Sequence, residues 1–233
     1  GKYQGMDIEI LTPKEAKDLY PFLETHDLVG ALYDPNDGDI DPAQLTQALA
    51  KGARDLGAKI LRFTPAIGVT QKKDKTWTVH TEKGDIDCEY VVNAAGYYAQ
   101  QVGDWFKPFG GRTVPMMVMS HQYLLSEEIP EIEQYTKTSG KKLPLLRDVD
   151  VSYYLRQEKN GFNLGPYEPN CKAHWATEDD PMPDDFSFQL WNDDLDRIED
   201  IVSDAMERVP LLGTSGVSRV INCLLYTSDA ADD

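Results

Sequence analysis

A few residues combine side-chain types and spacing that suit chemistry. His121 lies in Met119-Ser120-His121-Gln122-Tyr123, where strand alternation puts Met119, His121 and Tyr123 on one face. Imidazole exchanges protons near neutral pH, although an isolated histidine is more simply a hydrogen-bonded core residue. Tyr153 and Tyr154 are adjacent on a predicted strand, so they point to opposite faces and only one can meet a ligand. Two packing tyrosines in a sheet is the plainer alternative. Arg147 and Arg156 also fall on predicted strands. Either could hold a carboxylate bidentately, or be a surface ion-pair partner, and the residues do not choose between them. Residues 90–96, Tyr-Val-Val-Asn-Ala-Ala-Gly, end an apolar run in three small residues. Such an ending lets a phosphate or ribose approach the backbone, or simply makes a tight strand-to-helix turn. His80, His174, Trp175 and Cys171 have no spacing that suggests a site.

The chain that must position these groups has 233 residues, enough for one or two domains with a sizeable core. Its net charge of −17, from 40 acidic and 23 basic side chains, argues against a nucleic-acid partner. No apolar run approaches the roughly 18 residues of a membrane span. Acidic clusters at 34–41, 178–185 and 193–200 read as solvated loops and helix starts. Three cysteines, at 88, 171 and 223, lack metal-ligand spacing, so a reducing compartment is the default.

Thr12-Pro13-Lys14-Glu15 predicts a capping box and a helix to about Leu23. Residues 29–40 predict a strand and a turn-rich loop. Asp41-Pro42 starts a second helix, with Leu45, Leu49, Ala53 and Leu56 on one face and Gly57 as its stop. Strands are expected over Ala58–Pro65 and from Gly68, then a hairpin of Trp77–His80 and Asp85–Val92 around Lys83-Gly84. The apolar run at 90–93 is expected to be a buried parallel strand. A helix follows from about Tyr98 to Phe106, and composition shifts at 107–113. Beyond come extended segments at Val114–Leu125, Leu143–Arg147, Ser152–Gln157 and Phe162–Tyr167, the last two joined by a Glu158-Lys159-Asn160-Gly161 hairpin signalled by its Asn-Gly. Asp193–Val209 is an amphipathic helix closed by Pro210. The predicted class is mixed α/β (α+β): part of a Rossmann-like domain interleaved with an antiparallel-sheet domain.

Several ordered motifs carry a family resemblance. They are Asp37-Gly-Asp-Ile-Asp-Pro42, Val91-Val-Asn-Ala-Ala-Gly96, Val114-Pro115, Ser120-His-Gln-Tyr123, Leu143-Pro-Leu-Leu-Arg-Asp148, Tyr153-Tyr-Leu-Arg-Gln-Glu158 and Gly165-Pro-Tyr-Glu168. Together they resemble the flavin-dependent amine oxidoreductases of the D-amino-acid-oxidase superfamily, particularly dimethylglycine and sarcosine dehydrogenases. The resemblance covers essentially all of 1–222. It implies an FAD-dependent dehydrogenase or oxidase acting on CH–NH, with an N-methylated glycine as substrate and a hydride passing to the flavin. It places His121 beside the flavin, where it would favour the neutral amine, since a protonated amine has no lone pair to assist hydride loss. It also places Tyr154 rather than Tyr153 on the flavin and substrate side, Val69 against the adenine through its backbone, and Ala95 and Gly96 beside the ribose or pyrophosphate. A non-catalytic regulatory member of the family, acting through protein binding, is the alternative.

The resemblance also implies domain limits. Residues 1–33 lead into a substrate domain, 34–112 are part of the FAD-binding domain, 113–209 are the substrate and catalytic domain, and 210–222 return toward the FAD domain. The family's G-x-G-x-x-G loop, which holds the FAD pyrophosphate at a helix start, does not occur in this sequence. That loop, and a folate-binding domain using tetrahydrofolate, are expected outside an internal fragment that by itself binds FAD poorly. Residues 223–233 correspond to the translation of a sequencing-library adapter and are expected to be an artefact. An electron acceptor, and a cytoplasmic location (the mitochondrial matrix in a eukaryote), complete the expectations.

Overall fold

A computed structural model describes residues 5–176, 179–183, 186–187 and 189–227. In chain order the elements are β1 (Glu9–Leu11), α1 (Pro13–Leu19), β2 (Ala31–Tyr33), α2 (Pro42–Asp55), β3 (Ala66–Gln71), β4 (Trp77–Thr81), β5 (Ile86–Cys88), α3 (Ala99–Asp104), β6 (Met117–Ser126), α4 (Pro130–Ser139), β7 (Leu146–Asp148), β8 (Tyr153–Glu158), β9 (Gly161–Pro166), β10 (Ala173–His174), α5 (Glu199–Arg208) and β11 (Val217–Thr227). The mixed α and β class expected from sequence is the one observed. The chain forms two compact units, one of residues 1–39, 120–172 and 183–224, the other of 40–119, 173–182 and 225–233. No helix among the described residues is long and apolar enough to cross a membrane.

The first unit is built on an antiparallel sheet in the order β6-β9-β8-β7, with β11 also paired to β6. Strand alternation gives this sheet a dry face and an open one. Leu124, Tyr153, Leu155, Phe162 and Leu164 from the dry face join Ala16 and Tyr20, Ile132 of α4, and Ile201 and Ala205 of α5 in one core. α1 starts as its sequence demands: the Thr12 amide donates to the Glu15 carboxylate (2.8 Å) and the Glu15 amide donates to Thr12 Oγ1 (3.3 Å). Arg208 ties the ends of this unit together. It donates to both oxygens of Asp27 (2.6 and 2.9 Å), to Asp148 (3.2 Å) and to the Glu24 carbonyl (2.9 Å).

The second unit carries α2, the antiparallel sheet β3-β4-β5 and α3. Trp77 of β4 packs edge-on to Phe106 and Phe109, with ring centroids 5.0 and 5.4 Å apart. Asp41 caps α2 through the Gln44 amide (3.0 Å). The expected apolar stripe of that helix is present, but Leu45, Leu49 and Leu56 all remain exposed.

Several expectations about elements fail here. Residues 90–93 form no strand, and Tyr90 and Val92 are 83% and 85% exposed. An apolar parallel strand needs neighbours over its edges and faces, and no strand among the described residues lies beside it. The second hairpin arm therefore stops at Cys88. Residues 58–65 are likewise not a strand: Phe63 takes a left-handed φ of 52° and is exposed. The expected Glu158-Lys159-Asn160-Gly161 hairpin, by contrast, is present between β8 and β9, with Glu158 paired to Gly161 and Lys159 at φ 54°. Gly161 also serves packing, because a Cβ there would lie 2.7 Å from both the Glu127 carbonyl and Ser126 Oγ. Helix α4 was not anticipated; its cap, Ile129, makes no side-chain hydrogen bond. β11 continues through Cys223 to Thr227, and residues 228–233 of the expected tail lie outside the described residues.

Candidate functional site

The open face of the first unit's sheet collects the polar residues of interest. In β6, Val118, Ser120, Gln122 and Leu124 are buried while Met119, His121 and Tyr123 alternate onto the less buried side. In β8, Tyr153 enters the core and Tyr154 and Arg156 face the other way. The registers Leu125↔Asn163, Arg156↔Asn163, Tyr154↔Gly165 and Arg147↔Tyr154 set the rows across this face. The hairpin residue order thus decides which of two adjacent tyrosines can meet a ligand.

His121 and Tyr154 are linked through Tyr167. The His121 ring stacks on Tyr167 at 5.7 Å and 21°, and Tyr154 meets Tyr167 edge-on at 6.0 Å. A Cβ on Gly165 would overlap the Tyr154 ring, so this glycine supplies the groove in which the ring lies. Burial, and secondarily the neighbouring Tyr167, push the Tyr154 phenol above its ordinary range. Tyr154 is therefore a neutral hydroxyl, able to donate or accept a hydrogen bond.

Behind His121 stands a charge the sequence reading missed. His121 Nδ1 lies 3.2 Å from Glu168 Oε2, and the Glu168 carboxyl is wholly buried. Its other oxygen lies 3.3 Å from Arg197 Nη2, whose side chain is also buried. Arg197 donates through Nη1 to Ser120 Oγ (3.0 Å). The turn bearing Arg197 is fixed by Gln122, which accepts from the Asp194 amide and donates to its carbonyl, both at 2.8 Å. Glu168 was visible in the Gly165–Glu168 motif but carried no assigned role. Its signal lay in the strand end, where a carboxylate two residues past a buried proline can turn back toward β6.

Arg156 and Arg147 differ in setting. Arg156 is half-buried, donates to Glu158 (3.2 Å) and lies 3.9 Å from Asp39, whereas Arg147 is exposed. Arg156, Asn163 and Tyr123 border a cavity of about 420 Å³ whose rim carries Glu127, Glu128 and Lys159. Neither His121 nor Tyr154 lines it.

Val69, Ala95 and Gly96 belong to the second unit. Val69 sits in β3 opposite Val79. Asn93 clamps the small-residue turn: its amide donates to the Ala99 carbonyl (2.8 Å) and its oxygen accepts from the Ala95 amide (3.3 Å). Gly96 takes φ 60°, the left-handed region where a side chain is disfavoured.

A family model described as "DAO: FAD dependent oxidoreductase" matches residues 1–231. The chain belongs to that family. The FAD-dependent oxidoreductase domain is 39% identical over 217 residues to mitochondrial dimethylglycine dehydrogenase of Mus musculus, covering 91% of this chain and 24% of that protein. It is 33% identical to mitochondrial sarcosine dehydrogenase of Mus musculus, covering 95% of this chain and 23% of that one. It is also 31% identical to the mitochondrial pyruvate dehydrogenase phosphatase regulatory subunit of Mus musculus, covering 94% and 24%. The chain thus spans about a quarter of the length of these relatives. The fold resembles L-proline dehydrogenase from P. horikoshii at a TM-score of 0.71 and 22% identity, over 94% of this chain and 53% of that one.

The residues present fit the flavin that the family name implies. On the open sheet face, the buried Asn163 Oδ1 and Arg156 Nε have no protein partner, as expected where a polar ligand completes a site. In the second unit, the turn at Ala94–Gly96 is clamped without side-chain bulk, which suits close approach of a ribose or phosphate.

Proposed function

We propose that the protein oxidises an N-methylated glycine, dimethylglycine or sarcosine, with FAD as cofactor. The observation that carries this reading is the open face on which His121 and Tyr154 share Tyr167 as a common neighbour. Similarity to two N-methylglycine dehydrogenases supports the choice of substrate class. FAD, when bound, supplies the acceptor for a hydride equivalent from the N-methyl carbon. The rest is done by the chain's own groups. His121 takes the proton from the substrate ammonium, which frees the nitrogen lone pair that assists hydride loss. The neutral Tyr154 hydroxyl orients the amine or carboxylate. Val69, Ala95 and Gly96 hold the adenine, ribose and pyrophosphate side. A mitochondrial matrix location, an electron acceptor, and capture of the one-carbon product by tetrahydrofolate belong to the same reading.

Anaerobic mixing of the full-length, flavin-loaded protein with dimethylglycine or sarcosine should bleach the flavin. His121→Ala should slow that bleaching by about 10²- to 10⁴-fold. If neither amine reduces the flavin, the substrate assignment is wrong. A second reading, a non-catalytic regulatory protein, draws support from the regulatory-subunit relative. It requires a folded, flavin-loaded protein that no N-methyl amine reduces.

A further inference from the structure

A buried carboxylate is costly unless a positive partner and hydrogen bonds compensate it. Glu168 meets that cost in two directions. Oε1 lies 3.3 Å from Arg197 Nη2, and Oε2 lies 3.2 Å from His121 Nδ1. The Arg197 contact is an ion pair whose angles do not form a hydrogen bond, since Glu168 Oε1 and Arg197 Nη2 both lack one. The hydrogen bond to Glu168 is therefore made by His121, and an ionised carboxylate can only accept. The Glu168 backbone is anchored too, its carbonyl accepting from Cys171 Sγ at 3.3 Å.

We infer that Glu168, charge-balanced by Arg197, is a positioning residue that holds neutral His121 in the Nδ1–H tautomer and leaves Nε2 as the proton acceptor. The role of Nε2 rests on the proposed amine oxidation; the tautomer does not. Several features converge on one ring orientation. Nδ1 is engaged by Glu168, the ring plane is fixed against Tyr167, and no described residue bonds Nε2. The proton balance is simple. The N–H bond of a substrate ammonium breaks, its proton adds to Nε2, and the electron pair stays on the substrate nitrogen. The imidazolium so formed keeps its Nδ1–H bond to Glu168, whose other oxygen faces Arg197. Arg197 also bonds Ser120, the residue before His121, so the charge pair is fixed to the strand it serves. The carboxylate is thus a second layer behind the acceptor, acting through orientation rather than contact with substrate.

The test is a two-bond ¹H–¹⁵N correlation spectrum of the histidine rings in the unsubstituted protein, at a pH where the rings are neutral, with His121→Asn to assign the signal. The expected spectrum has a protonated-type Nδ1 and an unprotonated-type Nε2. An Nε2–H tautomer in the unsubstituted protein would overturn the inference, and this measurement needs no variant to fold. Glu168→Gln, whose amide can either donate or accept, should lose the single Nδ1–H signature. It should also slow flavin reduction in the holoprotein by roughly a hundredfold, the low end of what a positioned base contributes. Glu168→Asp should restore part of both. A His121 signal unchanged in a folded Glu168→Gln protein would also overturn it. If the Nδ1–H tautomer is found but His121→Asn leaves flavin reduction untouched, the functional reading fails and the positioning stands. An Nε2–H tautomer with slowed reduction in His121→Asn separates the failures the other way.

Discussion

Gly165→Ala tests whether the groove under Tyr154 is what holds that ring on the open face. Gly165 of β9 is the register partner of Tyr154 in β8, and an added Cβ would overlap Tyr154 Cε1, Cζ and Oη. Carbon pairs rest about 3.5–4.0 Å apart, so the ring must leave its place rather than settle by a few tenths of an ångström. The clash is with a side chain and not with backbone, so the sheet should survive and the ring should swing out. Forcing the ring off its rotamer costs about 0.5–1.5 kcal/mol, and losing the cross-strand packing costs about 0.2–1 kcal/mol more. Against this, alanine in a strand is favoured over glycine by about 0.5–1 kcal/mol. The net loss of stability is thus small, about 1 kcal/mol, while the coupling to Tyr154 is about 1–2 kcal/mol. A double-mutant cycle by urea unfolding exposes it. Gly165→Ala should destabilise the unsubstituted protein but stabilise the Tyr154→Ala protein, where the groove is empty. Flavin reduction should slow in Gly165→Ala much as in Tyr154→Ala, with no further loss in the double variant. Effects that add within about 0.5 kcal/mol, with the same sign in both backgrounds, would refute the groove.

The Arg208 clamp should make part of the stability acid-labile. The side-chain hydrogen bond from Arg208 lowers the Asp27 carboxyl from its ordinary 3.8 to about 2. A depressed carboxylate contributes fully above its unfolded value and loses that contribution as pH falls through the folded one. The urea-midpoint gap between the unsubstituted protein and Asp27→Asn should therefore be constant from neutral pH down to about 4 and close toward pH 2; a gap that persists at pH 2 would contradict the assignment. Tyr20 and Tyr153 carry buried hydroxyls without partners, and burial pushes both phenols up. Tyr20→Phe and Tyr153→Phe should be neutral or stabilising by up to about 1 kcal/mol, whereas Leu155→Ala in the same core should cost about 2–5 kcal/mol in thermal or urea unfolding.

Local chemistry was the legible part of this fold. Thr12 and Asp41 each announced a helix start through a side chain that reaches a backbone amide three residues on, and both bonds are present. Alternation along β6 and β8 correctly separated the faces of His121 from Gln122 and of Tyr154 from Tyr153. The failures are segments whose state depends on something outside themselves. Tyr90–Asn93 has the composition of a buried parallel strand but no strand beside it among the described residues, and composition alone does not supply a neighbour. The stripe on α2 has the right spacing, yet spacing says nothing about what covers it.

The site shows the same division more sharply. A turn over Glu158–Gly161 between strands ending at Gln157 and starting at Phe162 sets Gly165 opposite Tyr154. The structure has that pairing, Glu158 with Gly161 and Tyr154 with Gly165. The strand period alone separates the faces of Tyr153 and Tyr154. The period does not say what a neighbour across the sheet does for a ring or an imidazole, and Gly165 and Glu168 stayed without roles. Position 161 shows a long-range demand too: the end of β6 at Ser126 and Glu127 crowds it, so glycine is required there for packing. The stack of His121 on Tyr167 depends on the β6–β9 register, a pairing across 38 or more residues of chain. Faces follow from the period of a strand, whereas partners follow from tertiary packing. The groove under Tyr154 and the carboxylate behind His121 belong to the second kind.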